Sequence, residues 1–202
     1  MIQMLKQTIL VCGCLVALTG QAIADPLMDA RRAYDAGNYP EAEKLARPLA
    51  EQGAAPAQFI LGMMYATSNT LPQHEAEAVK WFRLAADQGF AEAQYHLGVM
   101  YEAGSGIDED DKEAVKWYRL AAEQGYAPAQ LILGKMYRNG RGVPQDFVRA
   151  HMWINIAGKK ASKSPDLTTM LLNGMERQMT PDQITEAKEL ARKCTANKFK
   201  GC

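Results

Sequence analysis

Small and apolar residues recur along this chain at helical spacing, interrupted at regular intervals by turns rich in glycine and proline. Ala129, Leu133, Gly134 and Tyr137 follow one another at spacings of four, one and three, which places them on one face of a helix. Asn139-Gly140-Arg141-Gly142-Val143-Pro144 then reads as a loop. Asp146 stands where it can N-cap a second helix, on which Ala150, Trp153 and Ala157 share a face. The pattern returns with a period of 36: Leu61-Gly62 with Tyr65 aligns with Leu97-Gly98 with Tyr101 and with Leu133-Gly134 with Tyr137, and Trp81 aligns with Trp117 and Trp153. A fixed period of roughly 20–50 residues marks a stacked-repeat architecture, which presents extended surfaces rather than enclosed pockets. Glycine costs about 1 kcal/mol inside a helix, so its return at 62, 98 and 134 predicts close approach of a neighbouring helix. The tryptophans are expected to fill the groove between units as core.

The two later units carry a longer signature. Tyr101-x-x-Gly104-x-Gly106-Ile107-x-x-Asp110-x-x-x-Ala114-x-x-Trp117-x-x-x-Ala121-Ala122-x-x-Gly125-x-x-x-Ala129 is answered by Tyr137, Gly140, Gly142, Val143, Asp146, Trp153 and Ala157. Over residues 55–160 this resembles the SLR (SEL-like) repeat, a relative of the tetratricopeptide repeat. The resemblance implies an all-α, right-handed superhelical solenoid of helix pairs. The first unit departs from it. Ser68, Asn69 and Thr70 replace the Gly-x-Gly loop, and His74 takes the capping Asp position, so a less well-capped helix is expected there. Gly37-Asn38-Tyr39-Pro40-Glu41-Ala42 resembles a tetratricopeptide helix turn, with Leu45 at the tryptophan position, so residues 25–54 should add an N-terminal helix pair.

Beyond 160 the register is lost. Ser164-Pro165 and Thr180-Pro181-Asp182-Gln183 look like helix starts, the second with a capping box. Ile184, Ala187, Leu190, Ala191 and Cys194 then share a face. Residues 161–202 should therefore form two helices, near 165–178 and 181–194, that cap the otherwise exposed end of the solenoid.

Residues 1–24 read as a secretory signal peptide, with Lys6, an apolar run from Thr8 to Leu18 and the small-x-small Ala22-Ile23-Ala24 before Asp25. A lipoprotein reading centred on Val11-Cys12-Gly13-Cys14 would cut the apolar run early, and the run is short for a retained membrane anchor. A periplasmic or secreted chain is expected, without membrane insertion after cleavage. It would keep two cysteines, Cys194 and Cys202, which in an oxidising compartment read as a disulfide and otherwise as free thiols.

The 202 residues, 48% hydrophobic, suffice for one folded domain. The formal charge is zero, so neither nucleic acid nor an anionic membrane is indicated as a partner. His74, His96 and His151 fall at different repeat positions and form no metal motif. None of Ser68, Ser105, Ser162 or Ser164 begins Ser-x-x-Lys, and Thr185-x-x-Lys188 lies on a helix surface. No catalytic residue, metal or cofactor is therefore assigned, although some cysteine-rich SLR proteins have been associated with penicillin binding. A cell-wall or β-lactam hydrolase is one alternative reading, and a glycan-binding module another.

What the sequence favours is a protein–protein interaction scaffold acting as a monomer. In the superhelix that the resemblance implies, the arc of each first helix opposite the motif residues lines a concave groove. That arc carries Phe59, Tyr95 and Leu131, then Met63, Val99 and Lys135, then Ala66, Glu102 and Arg138. Bulky apolar residues on an open arc suit a bound peptide or amphipathic helix, anchored by Phe59, Met63 and Tyr95. The competing expectation is that neighbouring helices cover them.

Overall fold

A computed structural model describes residues 25–67, 72–159 and 167–202. The leader read at 1–24, the Ser68-Asn69-Thr70 loop and the Ser164-Pro165 cap lie outside the described residues. Among those described there are ten helices and no strand. They are α1 (Pro26–Asp35), α2 (Tyr39–Glu51), α3 (Ala55–Thr67), α4 (Pro72–Asp87), α5 (Ala91–Ala103), α6 (Asp111–Glu123), α7 (Ala127–Asn139), α8 (Phe147–Gly158), α9 (Leu167–Glu176) and α10 (Pro181–Ala196). Each of α1 to α8 packs on the next in sequence, and α10 packs back on α8, which makes an α-solenoid with a helical end.

The recurring glycines have a common cause. Phe82, Tyr118 and Ile154, each one residue past a tryptophan, have no accessible surface. They lie over the glycines of the preceding helix. A Cβ on Gly62 would sit 2.5 Å from the Phe82 ring, one on Gly98 2.8 Å from Tyr118, and one on Gly134 2.6 Å from Ile154. At Gly134 the backbone comes close as well, with the Ala150 carbonyl 3.1 Å from that point. The tryptophans pack beside this seam to unequal depth: Trp81 and Trp153 are buried and Trp117 is half-buried. The loop glycines serve a different purpose. Gly106 and Gly142 have φ of 68° and 66°, and a Cβ on either would run into the backbone of the preceding unit, at Glu75-Ala76 and Asp111.

Polar side chains join successive units in the same period. Gln58, Gln94 and Gln130 donate from Nε2 to the carbonyls of Ala50, Ala86 and Ala122 at 3.1, 3.2 and 3.0 Å. Gln88 and Gln124 donate to the side-chain oxygens of Gln58 and Gln94 at 2.7 and 2.8 Å. Arg47, Arg83 and Arg119 donate to the hydroxyls of Tyr65, Tyr101 and Tyr137 at 2.9, 2.6 and 2.8 Å. Arg47 extends this row into the N-terminal pair, so α1 and α2 stack as part of the array. Buried amides and hydroxyls are costly to leave unpaired, and these rows satisfy them unit by unit.

The expected caps form where Asp and Thr supply them. Asp110 accepts from the Lys112 and Glu113 amides, Asp146 accepts from the Arg149 amide, and Thr180 and Gln183 complete a reciprocal box. His74 is a correction: α4 begins at Pro72, so His74 lies inside the first turn, with its ring 5.9 Å from that of Tyr65. His151 is fully buried, and its Nε2 lies 2.9 Å from Glu176 Oε1. The C-terminal helices match the expected positions closely, and Cys194 and Cys202 are bonded, with Cα atoms 5.6 Å apart. Among the described residues no helix is long and apolar enough to cross a membrane.

Candidate recognition site on the first helices

The residues expected to line a groove divide into three groups. Phe59 is the correction among them. It is 8% exposed, with its ring 5.9 Å from Phe82, 5.4 Å from Phe90 and 5.6 Å from His96. Packing does require its bulk, so it belongs to the core and presents only an edge. Met63, Tyr95, Val99 and Leu131 are half-buried and rest on the core. Tyr95 lies 5.4 Å from Tyr126 and 5.7 Å from Tyr118, and burial, then the Glu102 charge, raises its phenol pKa.

The charged members behave differently from one another. Glu102 accepts from the Tyr118 hydroxyl at 2.7 Å and pairs with Arg141 at 2.8 Å, and Arg141 also reaches Asp111 at 2.7 Å. It is therefore a brace between units. Lys135, by contrast, forms no hydrogen bond or salt bridge among the described residues. Arg138, one turn further along α7, reaches only the Asn139 side chain, at 3.1 Å.

Beside these residues the first helices of successive units border a shared cavity of about 360 Å³. Helix α1 contributes Arg31 and Tyr34, α3 contributes Phe59, Ile60 and Met63, α5 contributes Glu92 and His96, and Tyr126 stands at the entry to α7. Arg31 is held by both oxygens of Asp35, at 3.1 and 3.2 Å. His96 stacks on Phe82 at 5.3 Å, and burial lowers its pKa, so the imidazole is neutral at pH 7. Burial, then the Glu92 charge, raises the phenol pKa of Tyr126. Arg31, Tyr34, Glu92 and Tyr126 were not foreseen, because three units and a turn must come together to place them. The site offers apolar surface, a few polar groups and no nucleophile paired with a base. Among the described residues no cluster of three or more His, Cys, Asp or Glu could hold a metal ion.

Comparison with known proteins bears on this arrangement. The Sel1 repeat family matches residues 55–90, 91–126 and 127–162. The chain belongs to the Sel1-repeat family. A Sel1 repeat protein from Oxalobacter formigenes is similar over 64% of this chain and 95% of its own, at 35% identity and a TM-score of 0.56. A protective antigen of uropathogenic Escherichia coli with an SLR fold is similar over 87% of this chain, at 26% identity and a TM-score of 0.57. This chain spans only 47% of that antigen's length. Among curated proteins no match was found. Sel1 repeats generally mediate protein–protein interaction, and proteins built from them are generally scaffolds rather than enzymes.

Proposed function

We propose that this Sel1-repeat protein is an exported adaptor that acts as a monomer and holds a segment of another protein in the concave groove formed by α3, α5 and α7. The observation that carries the reading is the cavity beside Met63, continued along the groove by half-buried Tyr95, Val99 and Leu131. A recess followed by a run of apolar surface suits an extended peptide or a helix better than a single small ligand. The aromatic rings beside Glu92 would also suit a sugar, but the aliphatic run beyond them favours a peptide. Export rests on the signal-like residues 1–24 and is compatible with the Cys194–Cys202 disulfide.

Leu84 and Leu120 set up the competing surface. They are 42% and 44% exposed, one period apart, on the second helices. A photo-crosslinking residue placed at Met63 or Val99, and in parallel at Leu84 or Leu120, separates the two faces in living cells. The proposal expects one discrete protein adduct from 63 and 99 and none from 84 and 120. Adducts only from 84 and 120 would move the site to the outer helices and sink the groove reading.

A further inference from the structure

The two ends of this surface carry opposite charges that no salt bridge among the described residues compensates. Glu92 lines the cavity and forms no salt bridge among the described residues. The nearest cation lining that cavity, Arg31, is already engaged by Asp35, and His96 contributes no charge at neutral pH. The rings of Tyr34, Phe59 and Tyr126 line the same cavity, and the Glu92 charge acts on the Tyr126 phenol. A carboxylate among aromatic rings is an environment for a cation, which gains both charge pairing and attraction to the ring faces. At the other end, among the described residues, Lys135 is unpaired and Arg138 has only an amide partner. Most other helical basic residues have an anionic or phenolic neighbour, as in Arg31–Asp35, Lys80–Glu77, Arg83–Tyr101 and Lys188–Glu176. At the positions of Lys135 and Arg138, α3 has Met63 and Ala66, and α5 has Val99 and Glu102. The surface therefore runs from an acidic aromatic recess, across apolar side chains, to a basic pair.

Resting on the groove reading above, we infer that the occupant is a peptide segment with a basic side chain seated against Glu92 and an acidic side chain over Lys135 and Arg138. The spacing follows from the repeat. The first helices of successive units meet through side chains, as where the Tyr95 ring of α5 lies 5.4 Å from that of Tyr126 at the entry to α7, which sets them roughly 10 Å apart. The counterpart of Glu92 one period on is Pro128, and from there to Lys135 is about 10 Å along the helix. The two charges are thus about 14 Å apart, a distance bridged by about four extended residues. The residues between them would lie over Tyr95 and Val99 and should be apolar.

The test pans the purified protein against a displayed library of random dodecapeptides, then synthesises the enriched sequence. The expected enrichment is one Arg or Lys separated from an Asp or Glu by about three to five residues. Replacing the peptide's basic residue with Gln should weaken binding to the wild-type protein about tenfold and leave binding to Glu92→Gln unchanged. The acidic residue should show the same coupling with the pair Lys135→Gln and Arg138→Gln. Gln is chosen to keep shape, and unchanged melting temperatures would show that both variants are folded. Enriched peptides without the opposed charges, or losses that simply add instead of cancelling, would overturn the inference while leaving the groove reading in place. Failure to enrich any peptide overturns it as well, and the groove reading then stands or falls on the crosslinks from positions 63 and 99.

Discussion

Alanine at Gly98 and at Gly174 should move stability in opposite directions. Both glycines lie inside helices with ordinary backbone angles, Gly98 in α5 and Gly174 in α9. Propensity alone favours alanine by about 1 kcal/mol at each. The surroundings decide the outcome. At Gly174 a Cβ would meet nothing within 4 Å, so Gly174→Ala should keep most of that gain. At Gly98 it would lie 2.8 Å from two ring carbons of Tyr118. That ring cannot swing away easily, because it is fully buried and its hydroxyl is tied to Glu102 at 2.7 Å. Overpacking of this kind typically costs about 1–3 kcal/mol, so the net for Gly98→Ala is a loss of up to about 2 kcal/mol. For a chain of this length that corresponds to a drop of up to about 8 °C in melting temperature, with Gly174→Ala higher than wild type by up to about 4 °C. Tyr118→Phe removes the tether and should recover part of the loss in the double variant, since the freed ring can shift. Thermal unfolding followed by circular dichroism reads the four variants beside the wild type. A Gly98→Ala variant as stable as Gly174→Ala would mean that the helix seam is looser than these distances require.

Phe59→Ala should destabilise by about 3–5 kcal/mol because it empties the space among Phe82, Phe90 and His96, whereas Met63→Ala should cost far less; denaturant melts of the two variants check the contrast. If residues 1–24 are a signal peptide, intact-mass measurement of the exported protein should show Asp25 as its first residue, and a lipid-modified Cys14 or a retained Met1 would refute this. His151, then Lys188, lowers the pKa of Glu176. Its stabilising contribution should be complete above the ordinary carboxylate value near ~4.3 and lost as pH falls through the lowered value, an acid sensitivity that Glu176→Gln should reduce in pH melts. Gly158→Ala should cost about 1–2 kcal/mol by pushing on Thr168, 2.8 Å from the added carbon, and faster amide exchange confined to α9 would be the first sign.

The array was legible because its signal is periodic, and chance seldom repeats Leu-Gly with a tyrosine three residues on at equal intervals. What the tryptophans hid was the deeper residue beside each of them. Phe82, Tyr118 and Ile154 differ in chemistry, so they do not stand out as a repeat. Their common feature is lying 20 residues after a glycine, which a search for large–small pairing would find. The glutamines at 58, 94 and 130 repeat as faithfully as the leucines, yet a polar residue at constant period reads as surface until its hydrogen bonds are seen. The residues expected to line a groove lie on α3, α5 and α7, but Phe59 was read from its helix alone. Its burial depends on Phe90 at the entry to α5 and His96 within it, and a pattern within one helix carries no information about that neighbour. The same reason kept Arg31, Tyr34 and Tyr126 out of the expected site.

The end of the array is written into its last repeat before the capping helices begin. Val79 and Val115 are core residues in the first two units, and the third has His151, which reaches out of α8 to Glu176 of α9. Glu176 in turn meets Lys188 of α10 at 3.1 Å, so one imidazole ties both end helices to the solenoid. Glu176 can only accept when ionised, so Nε2 carries the hydrogen, and Nδ1 is buried with no partner among the described residues. A cost of that size is tolerable where the alternative is an exposed solenoid face. Ala86 and Ala122 become Gly158, and the space released is filled by Thr168 of α9. Arg83 and Arg119 become Asn155, which ends the arginine–tyrosine row. The glutamine row ends similarly: Gln130 Oε1 has no donor among the described residues, and the position one period after Gln124 is Lys160, which lies outside them. Each substitution removes a feature that would receive another repeat, and two of them replace it with one that receives α9. A repeat protein of this kind therefore sets its length through changes on the second helix of the final unit, and the cap follows from the surface those changes leave.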